Sequence, residues 1–360
     1  MKTVITILDG ITETSMPFNE FVLYRANHYA EERQILIVCG EKCELPQVDL
    51  PDSLEILFAK RKLFAIRKTI RKVTADLKSK GIPYIIHMHQ VKSAFLTEMA
   101  MLGTGFRKKT LFTIHSTFSG YKFHNKVLSF VNAVMARYSN CVSEAAYNDY
   151  PRIVKRIKRS RFTMIRNGVD TERIDSVIPD EKDSGSIVEF IYVARIIPIK
   201  NHNFLLNVLM KCNSNIHFTF VGAEDEGKVV RKQAAELGLS NRITFTGIVP
   251  RVKVFEMLKQ ADFYMSSSTL EGLPVSVLEA MYCGLPCILS DIPQHKEVAG
   301  EGVILLPFDI DKWSTEINRL SMLQLQERVP LSARIKEYAE SNFGLSRMHE
   351  QYDEVYECLR

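Results

Sequence analysis

The sequence has no apolar run that reaches the roughly 18 residues needed to span a membrane as a helix. Its first ten residues offer too short an apolar core for a secretory signal peptide and indicate a buried first strand instead. The seven cysteines include no C-x-x-C pair and lack nearby partners that would complete a zinc site. We therefore expect reduced, buried thiols in a cytoplasmic protein.

The composition excludes several classes of protein. Of the 360 residues, 46% are hydrophobic, 25% are charged and 9% are aromatic. This is ordinary globular usage, which excludes disordered, collagen-like and coiled-coil chains. A chain of this length is more typical of two domains than of one.

The charge is unevenly distributed along the chain. Residues 1–180 carry 28 Lys and Arg against 18 Asp and Glu, whereas the remainder carries 19 against 24, within a total net charge of +5. The basic first half indicates contact with an anionic partner. Nucleic acid, a phosphorylated ligand and a membrane surface all satisfy this condition.

Short apolar runs alternate with helix-patterned segments throughout the chain. Six strand candidates lie between Val4 and Ile165, and six more lie between Val188 and Leu306. Strands that alternate with helices predict an α/β fold with parallel sheets covered on both faces.

The pattern restarts after a stretch at 175–186 that contains proline, glycine and several charges and is predicted to be a linker. We therefore predict two doubly wound, Rossmann-like domains, 1–175 and 187–342, with the ligand site in a cleft between them. The tail is predicted to form two helices, 331–341 and 345–359, with no further strand.

One strand–loop–helix segment carries most of the chemical information. It follows the strand candidate Phe263–Met265 and reads SSSTLEGLPVSVLEAM. Pro274 fits the first helical turn, so the Gly-Leu-Pro turn is expected to direct free backbone N–H groups toward an anion. Glu271 in the loop and Glu279 in the helix suit a sugar and a ribose with phosphate between them. The alternative is an exposed loop acid and a helix-surface acid.

The E-x7-E spacing from Glu271 to Glu279 resembles the donor-binding motif of the retaining family 4, or group 1, glycosyltransferases, which have the GT-B fold. Other segments resemble motifs of that family in the same order: Arg166-Asn167-Gly168-Val169-Asp170, Val193-Ala194-Arg195-Ile196 with Lys200-Asn201, Phe245-Thr246-Gly247 and Ala261-Asp262-Phe263. The resemblance is strong over 162–300 and moderate elsewhere. It implies that the last helix, about 343–360, crosses back to the first domain.

The resemblance implies a role for each matching residue. Glu271 would contact hydroxyls of the donor sugar and Glu279 the ribose of the nucleotide, while Arg195 and Lys200 would bind the diphosphate. Cleavage of a sugar–diphosphate bond places negative charge on phosphate oxygens, which fixed cations and helix amides stabilise. The remaining implied donor-binding residues are Gly272, Leu273, Pro274, Val275, Gly247 and Val249. For Arg195 and Lys200 the alternative is a solvated strand end.

Two histidine positions follow strands in the first half. The resemblance implies that His115 lies near the reacting sugar and hydrogen-bonds the sugar or a phosphate. His87 and His89 are expected to point to opposite faces of their strand and to serve packing and loop anchoring. A metal site formed by these three histidines is the alternative.

The loop after the first strand departs from the family pattern. Of the consecutive glycines usual there, only Gly10 remains, and Thr14 and Ser15 could supply hydroxyl donors instead. The acceptor side is therefore the least transferable part of the resemblance.

No feature of the sequence requires a metal ion or a protein nucleophile. Asp309-Ile310-Asp311 is a D-x-D, but it precedes a helical pattern, and an N-cap is the simpler interpretation. The alternative is a metal bound by the donor diphosphate. The sequence does not resemble a Ser/His/Asp triad, and we nominate no nucleophile.

Three segments hold much of the basic charge: 60–80, with nine basic residues and one acid, 107–109, with three basic residues, and 152–161, with six and no acid. Apolar residues recur every three or four positions in the first of them: Leu63, Ile66, Ile70, Val73 and Leu77. The plain interpretation is a packed helix with a solvated basic face. The alternative is an anionic membrane surface. No nucleic-acid module is recognisable, so nucleic acid is not expected as a partner.

The motifs and the family resemblance together imply a cytoplasmic, metal-independent, retaining glycosyltransferase of the hexosyltransferase type. If the basic segments form a membrane surface, it is expected to be peripheral to the inner face of the cell membrane. The donor would be a UDP- or GDP-sugar used without a cofactor. The acceptor would be a glycan hydroxyl, with a lipid-linked glycan favoured, in the synthesis of surface polysaccharide or glycoconjugate. The alternatives are a sugar-nucleotide epimerase of the same fold and a non-catalytic protein that binds sugar nucleotides.

Overall fold

A computed structural model describes residues 2–10, 18–40, 51–179, 187–224 and 228–359. The chain forms two compact units: unit 1 contains Met1–Asn167 and Ser346–Arg360, and unit 2 contains Gly168–Leu345. Thr14, Ser15 and most of the predicted linker lie outside the described residues.

Unit 1 is built on a seven-stranded parallel sheet. Its strands are β1 (Lys2–Leu8), β2 (Glu32–Cys39), β3 (Leu54–Ala59), β4 (Tyr84–Met88), β5 (Thr110–Ile114), β6 (Tyr138–Cys141) and β7 (Phe162–Met164). They are ordered β3-β2-β1-β4-β5-β6-β7, so the direction of winding reverses between β1 and β4. In a sheet of this kind, loops at the carboxyl ends of the strands diverge at that reversal and leave room for a ligand.

The helices of unit 1 are α1 (Phe18–His28), α2 (Leu63–Ser79), α3 (Val91–Ala100), α4 (Phe123–Met135), α5 (Glu144–Asp149), α6 (Arg152–Lys158) and, from the end of the chain, α15 (Leu345–Glu357). The hydroxyl of Tyr352 on α15 accepts a hydrogen bond from Asn140 Nδ2 at 3.1 Å, and the hydroxyl of Tyr356 lies 2.8 Å from His87 Nδ1. The predicted return of the last helix to the first domain is thereby confirmed.

Unit 2 repeats the same architecture with six parallel strands: β8 (Val188–Val193), β9 (Ile216–Val221), β10 (Ile243–Gly247), β11 (Phe263–Ser266), β12 (Cys287–Ser290) and β13 (Val303–Leu306). Their order is β10-β9-β8-β11-β12-β13. The helices are α7 (Thr171–Asp175), α8 (His202–Leu209), α9 (Val229–Glu236), α10 (Arg251–Gln260), α11 (Val275–Tyr282), α12 (Pro293–Val298), α13 (Ile310–Ser321) and α14 (Leu325–Phe343). The predicted α/β class, with two Rossmann-like sheets, is confirmed.

Residues 168–175 lie in unit 2, although the sequence analysis assigned them to the first domain. The reason is a backbone pairing with the end of α14. Val169 N donates to Phe343 O at 2.8 Å, and Leu345 N donates to Val169 O at 3.0 Å. Gly168 permits this close approach, because a Cβ there would lie 2.6 Å from the Leu345 Cα.

Two elements differ from the predictions. Strand β3 was not predicted, because it is an edge strand that is only partly buried except at Ala59. Helix α14 begins at Leu325 rather than at 331, because Gln324 at the N-cap and Glu327 in the first turn form a capping box. Pro330 therefore lies inside the helix instead of before it.

Helix α2 carries the predicted amphipathic pattern. Its buried residues are Ile66, Ile70, Val73, Thr74 and Leu77. Leu63, which the pattern assigned to the same face, is the first residue of the helix and is 44% exposed. The apolar face therefore packs on unit 1, and the basic face is left to solvent.

Within the described ranges, none of the helices combines the length and the apolar character required to cross a membrane.

Candidate active site

In unit 2 the winding direction reverses between β8 and β11, which are hydrogen-bonded neighbours. The loop after β8 carries Arg195 and Lys200, and the loop after β11 carries Glu271. Parallel strands end at the same edge of a sheet, so these two loops meet at the switch point.

Lys200 and Glu271 form an ion pair in which Nζ donates to Oε1 at 2.5 Å. Ser268 Oγ donates to the same carboxylate oxygen at 2.6 Å. The two loops are also joined through their backbones, because Thr269 N donates to Ile199 O at 2.8 Å. The side chains of Lys200 and Glu271 are 18% and 12% exposed, so the pair is shielded but accessible.

A buried hydroxyl network lies behind this pair. The Tyr192 hydroxyl lies 2.7 Å from Ser268 Oγ and donates to Lys200 O at 3.1 Å. Ser266 Oγ lies 3.4 Å from Nε2 of the fully buried His295. Burial lowers the pKa of His295, while the nearby carboxylate opposes that shift. The network thus fixes the Lys200 loop and the hydroxyl that bonds the carboxylate.

The Gly-Leu-Pro turn leads directly into α11. Pro274 occupies the N-cap position, and the helix begins one residue later than the sequence predicted. Val275 N donates to Leu273 O at 2.9 Å, and Val277 N donates to Pro274 O at 3.0 Å. These amides are engaged within the turn, so the turn has fewer free N–H groups for an anion than predicted. Gly272 precedes them and is partly exposed.

Arg195 is exposed, and its guanidinium has no hydrogen bond or ion pair with other residues of the described ranges. Its backbone is nevertheless fixed, because Ala194 N donates to Val221 O at 2.9 Å. Gly222 has a φ of +150°, and a Cβ there would overlap the Ala194 carbonyl. Gly222 was not among the predicted site residues, and its signal in the sequence is its position directly after a strand.

Glu279 is 2% exposed on α11 and forms an ion pair with Arg251, the first residue of α10. This burial argues against the helix-surface alternative. Gly247 ends β10 with a φ of +67°, and Val249 lies partly buried in the loop before α10. Arg251 was missed in the sequence because a single arginine after a proline carries no motif.

In unit 1, His115 Nε2 lies 3.1 Å from His89 Nδ1. The rings of His87 and His89 are 3.9 Å apart, so the expectation of opposite faces is wrong: residues two apart on a strand point to the same face. Burial lowers the pKa of His115 to about 3 and holds the pKa values of His87 and His89 well below their usual range. His115 is therefore a neutral donor and acceptor near neutral pH.

Gly10 stands in the loop after β1, where an added Cβ would meet no described atom within 4 Å. The preceding residue, Asp9, is held by the side chains of Gln90 and Arg61, the latter through Nη2 to the Asp9 carbonyl oxygen at 3.0 Å. The place of Gly10 in the donor site stays a prediction.

Asp309 is the N-cap of α13, as the sequence predicted. Its Oδ1 accepts from Asp311 N at 2.9 Å and from Lys312 N at 3.1 Å. Over the residues that the structure describes, His, Cys, Asp and Glu side chains form no group of three or more that could hold a metal ion.

Two family profiles match the chain. The profile described as Glycosyl transferases group 1 matches residues 178–342, and Glycosyltransferase Family 4 matches residues 22–173. The chain belongs to the group 1 glycosyltransferases. The first match lies in unit 2 and the second falls mostly in unit 1, so both units of this group 1 glycosyltransferase have a counterpart in the family.

Curated relatives of this group 1 glycosyltransferase include a capsular polysaccharide biosynthesis glycosyltransferase, CapH, of Staphylococcus aureus, which is 29% identical over 62% of this chain and 63% of its own length. A putative glycosyltransferase, EpsF, of Bacillus subtilis is 26% identical over 83% of this chain and 79% of its own length. The phosphatidylinositol N-acetylglucosaminyltransferase GPI3 subunit of Saccharomyces cerevisiae is 24% identical over 75% of this chain and 60% of its own length. The match therefore spans less than two thirds of the CapH and GPI3 chains.

Solved structures share the fold over almost the whole chain. Anabaena HepE in complex with UDP and glucose is 17% identical, with a TM-score of 0.77 over 99% of both chains. Sucrose-phosphate synthase of Thermosynechococcus elongatus is 15% identical, with a TM-score of 0.78 over 100% of this chain and 99% of its own. These similarities confirm the GT-B fold class predicted for this group 1 glycosyltransferase.

Proposed function

We propose that this chain moves a hexosyl unit from a nucleotide-diphosphate sugar to a hydroxyl of a glycan acceptor, with retention of anomeric configuration and without a metal ion. One observation carries the proposal: Lys200 and Glu271 are paired at the switch point of unit 2 in a member of a glycosyltransferase family. The pair sets a cation and a sugar-binding carboxylate side by side.

In the proposed reaction, the bond between the anomeric carbon and the diphosphate oxygen breaks, and its electron pair leaves with the nucleoside diphosphate. The acceptor oxygen bonds to the same face of that carbon, and the acceptor hydroxyl passes its proton to the diphosphate oxygen that leaves. Lys200 and Arg195 stabilise the charge that develops on the diphosphate. Glu271 accepts hydrogen bonds from sugar hydroxyls, and Glu279 binds the ribose. The role of His115, a hydrogen bond to the sugar or a phosphate, stays a prediction.

The backbone positions Gly272 to Val275 complete the proposed donor site in unit 2, with Gly247 and Val249 near the base. The role of Gly10 in donor binding stays a prediction. UDP-sugars are the first donors to test, because HepE, which shares the fold, is described in complex with UDP-glucose. GDP-sugars are the second. We propose no cofactor besides this co-substrate.

We propose a lipid-linked glycan as acceptor. The support is that one relative is described as acting in capsular polysaccharide biosynthesis and another as a phosphatidylinositol N-acetylglucosaminyltransferase subunit. A protein that serves such an acceptor would lie on the inner face of the cell membrane as a cytoplasmic, peripheral protein.

The surface of unit 1 supports this location. Next to the basic residues of the 60–80 segment, Phe64 is 79% exposed, and in the 152–161 segment Ile153 is 52% and Ile157 48% exposed. Exposed apolar side chains among cations are typical of surfaces that bind anionic membranes. Lys158 of the same segment is buried and does not contribute to this surface.

The 107–109 segment offers fewer exposed cations to a membrane surface than its composition predicts. Arg107 is partly buried and donates from Nη2 to Met135 O at 3.0 Å. Lys109 lies over the ring of Tyr84 at 4.6 Å, which leaves Lys108 as the exposed cation of this segment.

A thermal-shift screen of UDP-, GDP- and ADP-sugars would identify the donor, because a ligand raises the apparent stability of the state that binds it. Transfer is then measured with the selected donor. Glu271→Ala and Lys200→Ala should abolish transfer while the variants remain folded, and Lys296→Ala, an exposed residue paired with Asp291, should retain it. Unchanged transfer in both site variants would rule out the site. A released epimeric sugar nucleotide would indicate an epimerase, and binding without product a non-catalytic protein.

Membrane binding is tested by sedimentation with phosphatidylglycerol vesicles and with phosphatidylcholine vesicles as the neutral control. Reversing the charge at Arg67, Lys68, Arg71 and Lys72 should release the protein from the anionic vesicles. Reversal at Lys211 and Lys296 in unit 2 is the matched control. A wild-type protein that never binds anionic vesicles would exclude the membrane proposal.

A further inference from the structure

We propose that Arg251 is a positioning residue for recognition of the nucleoside: its guanidinium keeps the Glu279 carboxylate ionised and directed toward the ribose hydroxyls of the donor. This inference rests on the proposed function, in which Glu279 binds the ribose. It adds a residue that no motif of the sequence marks.

Both side chains of the Arg251–Glu279 pair are buried. Glu279 is 2% exposed and Arg251 is 8% exposed, and their side chains form an ion pair through Nη2 and Oε1. Either charge alone at this depth would be strongly unfavourable, because a buried ion without a partner loses its hydration. The two residues therefore depend on each other for their charged states.

The Arg251–Glu279 pair lies between two parts of the proposed nucleoside site. Arg251 is the first residue of α10 and directly follows the loop of Gly247 and Val249, which the proposed function places near the base. Glu279 lies on α11, which begins directly after the Gly-Leu-Pro turn. The pair therefore connects the loop proposed for the base with the helix proposed for the ribose.

The chemistry of the Arg251–Glu279 pair suits the binding of ribose hydroxyls. An ionised carboxylate only accepts hydrogen bonds, and its two oxygens offer about four acceptor positions. A guanidinium at one oxygen leaves acceptor capacity for the 2′- and 3′-hydroxyls of a ribose. Arginine suits this task better than lysine, because its planar group holds the orientation of a carboxylate as well as its charge. The guanidinium is itself held over the Phe255 ring, 4.5 Å from its centroid.

The test measures how well the protein distinguishes a ribose from a deoxyribose. Dissociation constants are determined by calorimetry for UDP, 2′-deoxy-UDP and 3′-deoxy-UDP, or for the guanosine set if GDP binds wild type more tightly. The proteins are wild type, Glu279→Gln, Arg251→Gln and Arg251→Lys. Lys253→Gln is the matched control, because Lys253 is an exposed cation on the same helix.

Wild type and the control should bind the ribonucleotide about tenfold or more tightly than at least one deoxy analogue, as expected for a hydrogen bond to a charged group. Glu279→Gln and Arg251→Gln should reduce this ratio to less than about threefold, and Arg251→Lys to an intermediate value. A merely structural role would lower stability or weaken all nucleotides equally, with the ratio unchanged.

The failure of this inference is distinguishable from the failure of the proposed function. If wild type binds no nucleoside diphosphate, or if Glu279→Gln keeps the wild-type ratio, the proposed ribose site is wrong and the inference falls with it. If Glu279→Gln loses the ratio while a folded Arg251 variant keeps it, only the inference is overturned. Arg251→Lys retains the charge and serves this comparison if Arg251→Gln does not fold.

Discussion

Arg25 and Asp353, which are 328 positions apart in the chain, meet in the core of unit 1, where Arg25 Nη2 donates to Asp353 Oδ1 at 2.7 Å. Arg25 is fully buried, and the same nitrogen donates to Glu32 Oε2 at 2.7 Å. Lys2 joins the cluster through Nζ, 2.7 Å from Glu32 Oε1. This cluster fastens α15 to the first helix and strands of the unit.

Arg25→Met should destabilise the protein by about 3–5 kcal/mol, because it removes the fully buried one of the two cations that pair with Glu32 and Asp353 and leaves only Lys2. Urea unfolding followed by circular dichroism measures the change. The matched control is Arg33→Met, which removes the more exposed ion pair with Glu55 and should cost less than about 1 kcal/mol. Equal effects of the two substitutions would contradict the assignment of Arg25 to the core.

Acid should destabilise unit 1 through its buried histidines. Burial lowers the pKa values of His87, His89, His115 and His349, so the folded state holds them neutral. The unfolded chain binds protons at these positions below a pH of about 6.5, so stability should fall as the pH drops through 6.5 toward the folded values. Each histidine contributes up to roughly 1.4 kcal/mol per pH unit in that range.

Thermal unfolding between pH 7.5 and pH 5 tests this expectation. A folded His349→Gln variant should show a shallower loss of stability toward low pH, whereas His124→Gln, at an exposed position, should follow wild type. A melting temperature that stays constant from pH 7 to pH 5.5 would exclude a neutral histidine cluster.

Glu98 should destabilise the protein at neutral pH. It is fully buried on α3, and burial raises the pKa of its carboxyl to about 7 against the opposing charges of Arg107 and Lys158. The folded state therefore keeps its proton where the unfolded chain releases it, so this contribution to stability declines as the pH rises from about 4.5 to 7. Glu98→Gln should raise the melting temperature at pH 8 by several degrees, corresponding to about 1–3 kcal/mol, and have little effect at pH 5. Glu55→Gln is the surface control, and a lower melting temperature for Glu98→Gln at pH 8 would contradict the prediction.

Lys200 and Glu271 should act as a unit in catalysis. Glu271→Gln and Lys200→Met should each lower kcat by about 10²–10³, as expected for groups that stabilise developing charge or hold the reacting sugar. The kcat of the double variant should be no more than about tenfold below that of the less active single variant, because each substitution already disrupts the pair. The kcat of wild type, the two single variants and the double variant is measured by steady-state kinetics with the identified donor, which completes a double-mutant cycle. Losses that multiply in full would show two independent roles.

The sequence predicts the alternation of strands and helices well, because buried parallel strands are continuous apolar runs. Val188–Val193 and Ile216–Val221 have the predicted bounds for this reason. The edge strand Leu54–Ala59 was missed, since a partly solvated strand lacks that signal. The predicted start of α14 at 331 was too late. The helix starts at the capping box of Gln324 and Glu327, which lies outside the apolar pattern, and it continues through Pro330.

The site residues that belong to sequence motifs could be predicted. Those that reach the site only through tertiary packing could not. Glu271 and Lys200 come from recognisable segments, yet their direct pairing depends on β8 and β11 being neighbours, which periodicity does not reveal. Arg251 and His295 lie in segments without a motif, and only the fold brings them to the carboxylates. At the Gly-Leu-Pro turn, the bond from Val275 N to Leu273 O engages one amide that the sequence pattern left free for an anion.

The attachment of α15 has a consequence for how the chain folds during synthesis. The partners of His87 and Asn140 are Tyr356 and Tyr352, which leave the ribosome only after all of unit 2 has been made. Domains generally fold as units as they emerge, so unit 2 can reach its native core while unit 1 still lacks a helix. Until α15 emerges, His87 and Asn140 of unit 1 lack these two tyrosine hydroxyls as hydrogen-bond partners.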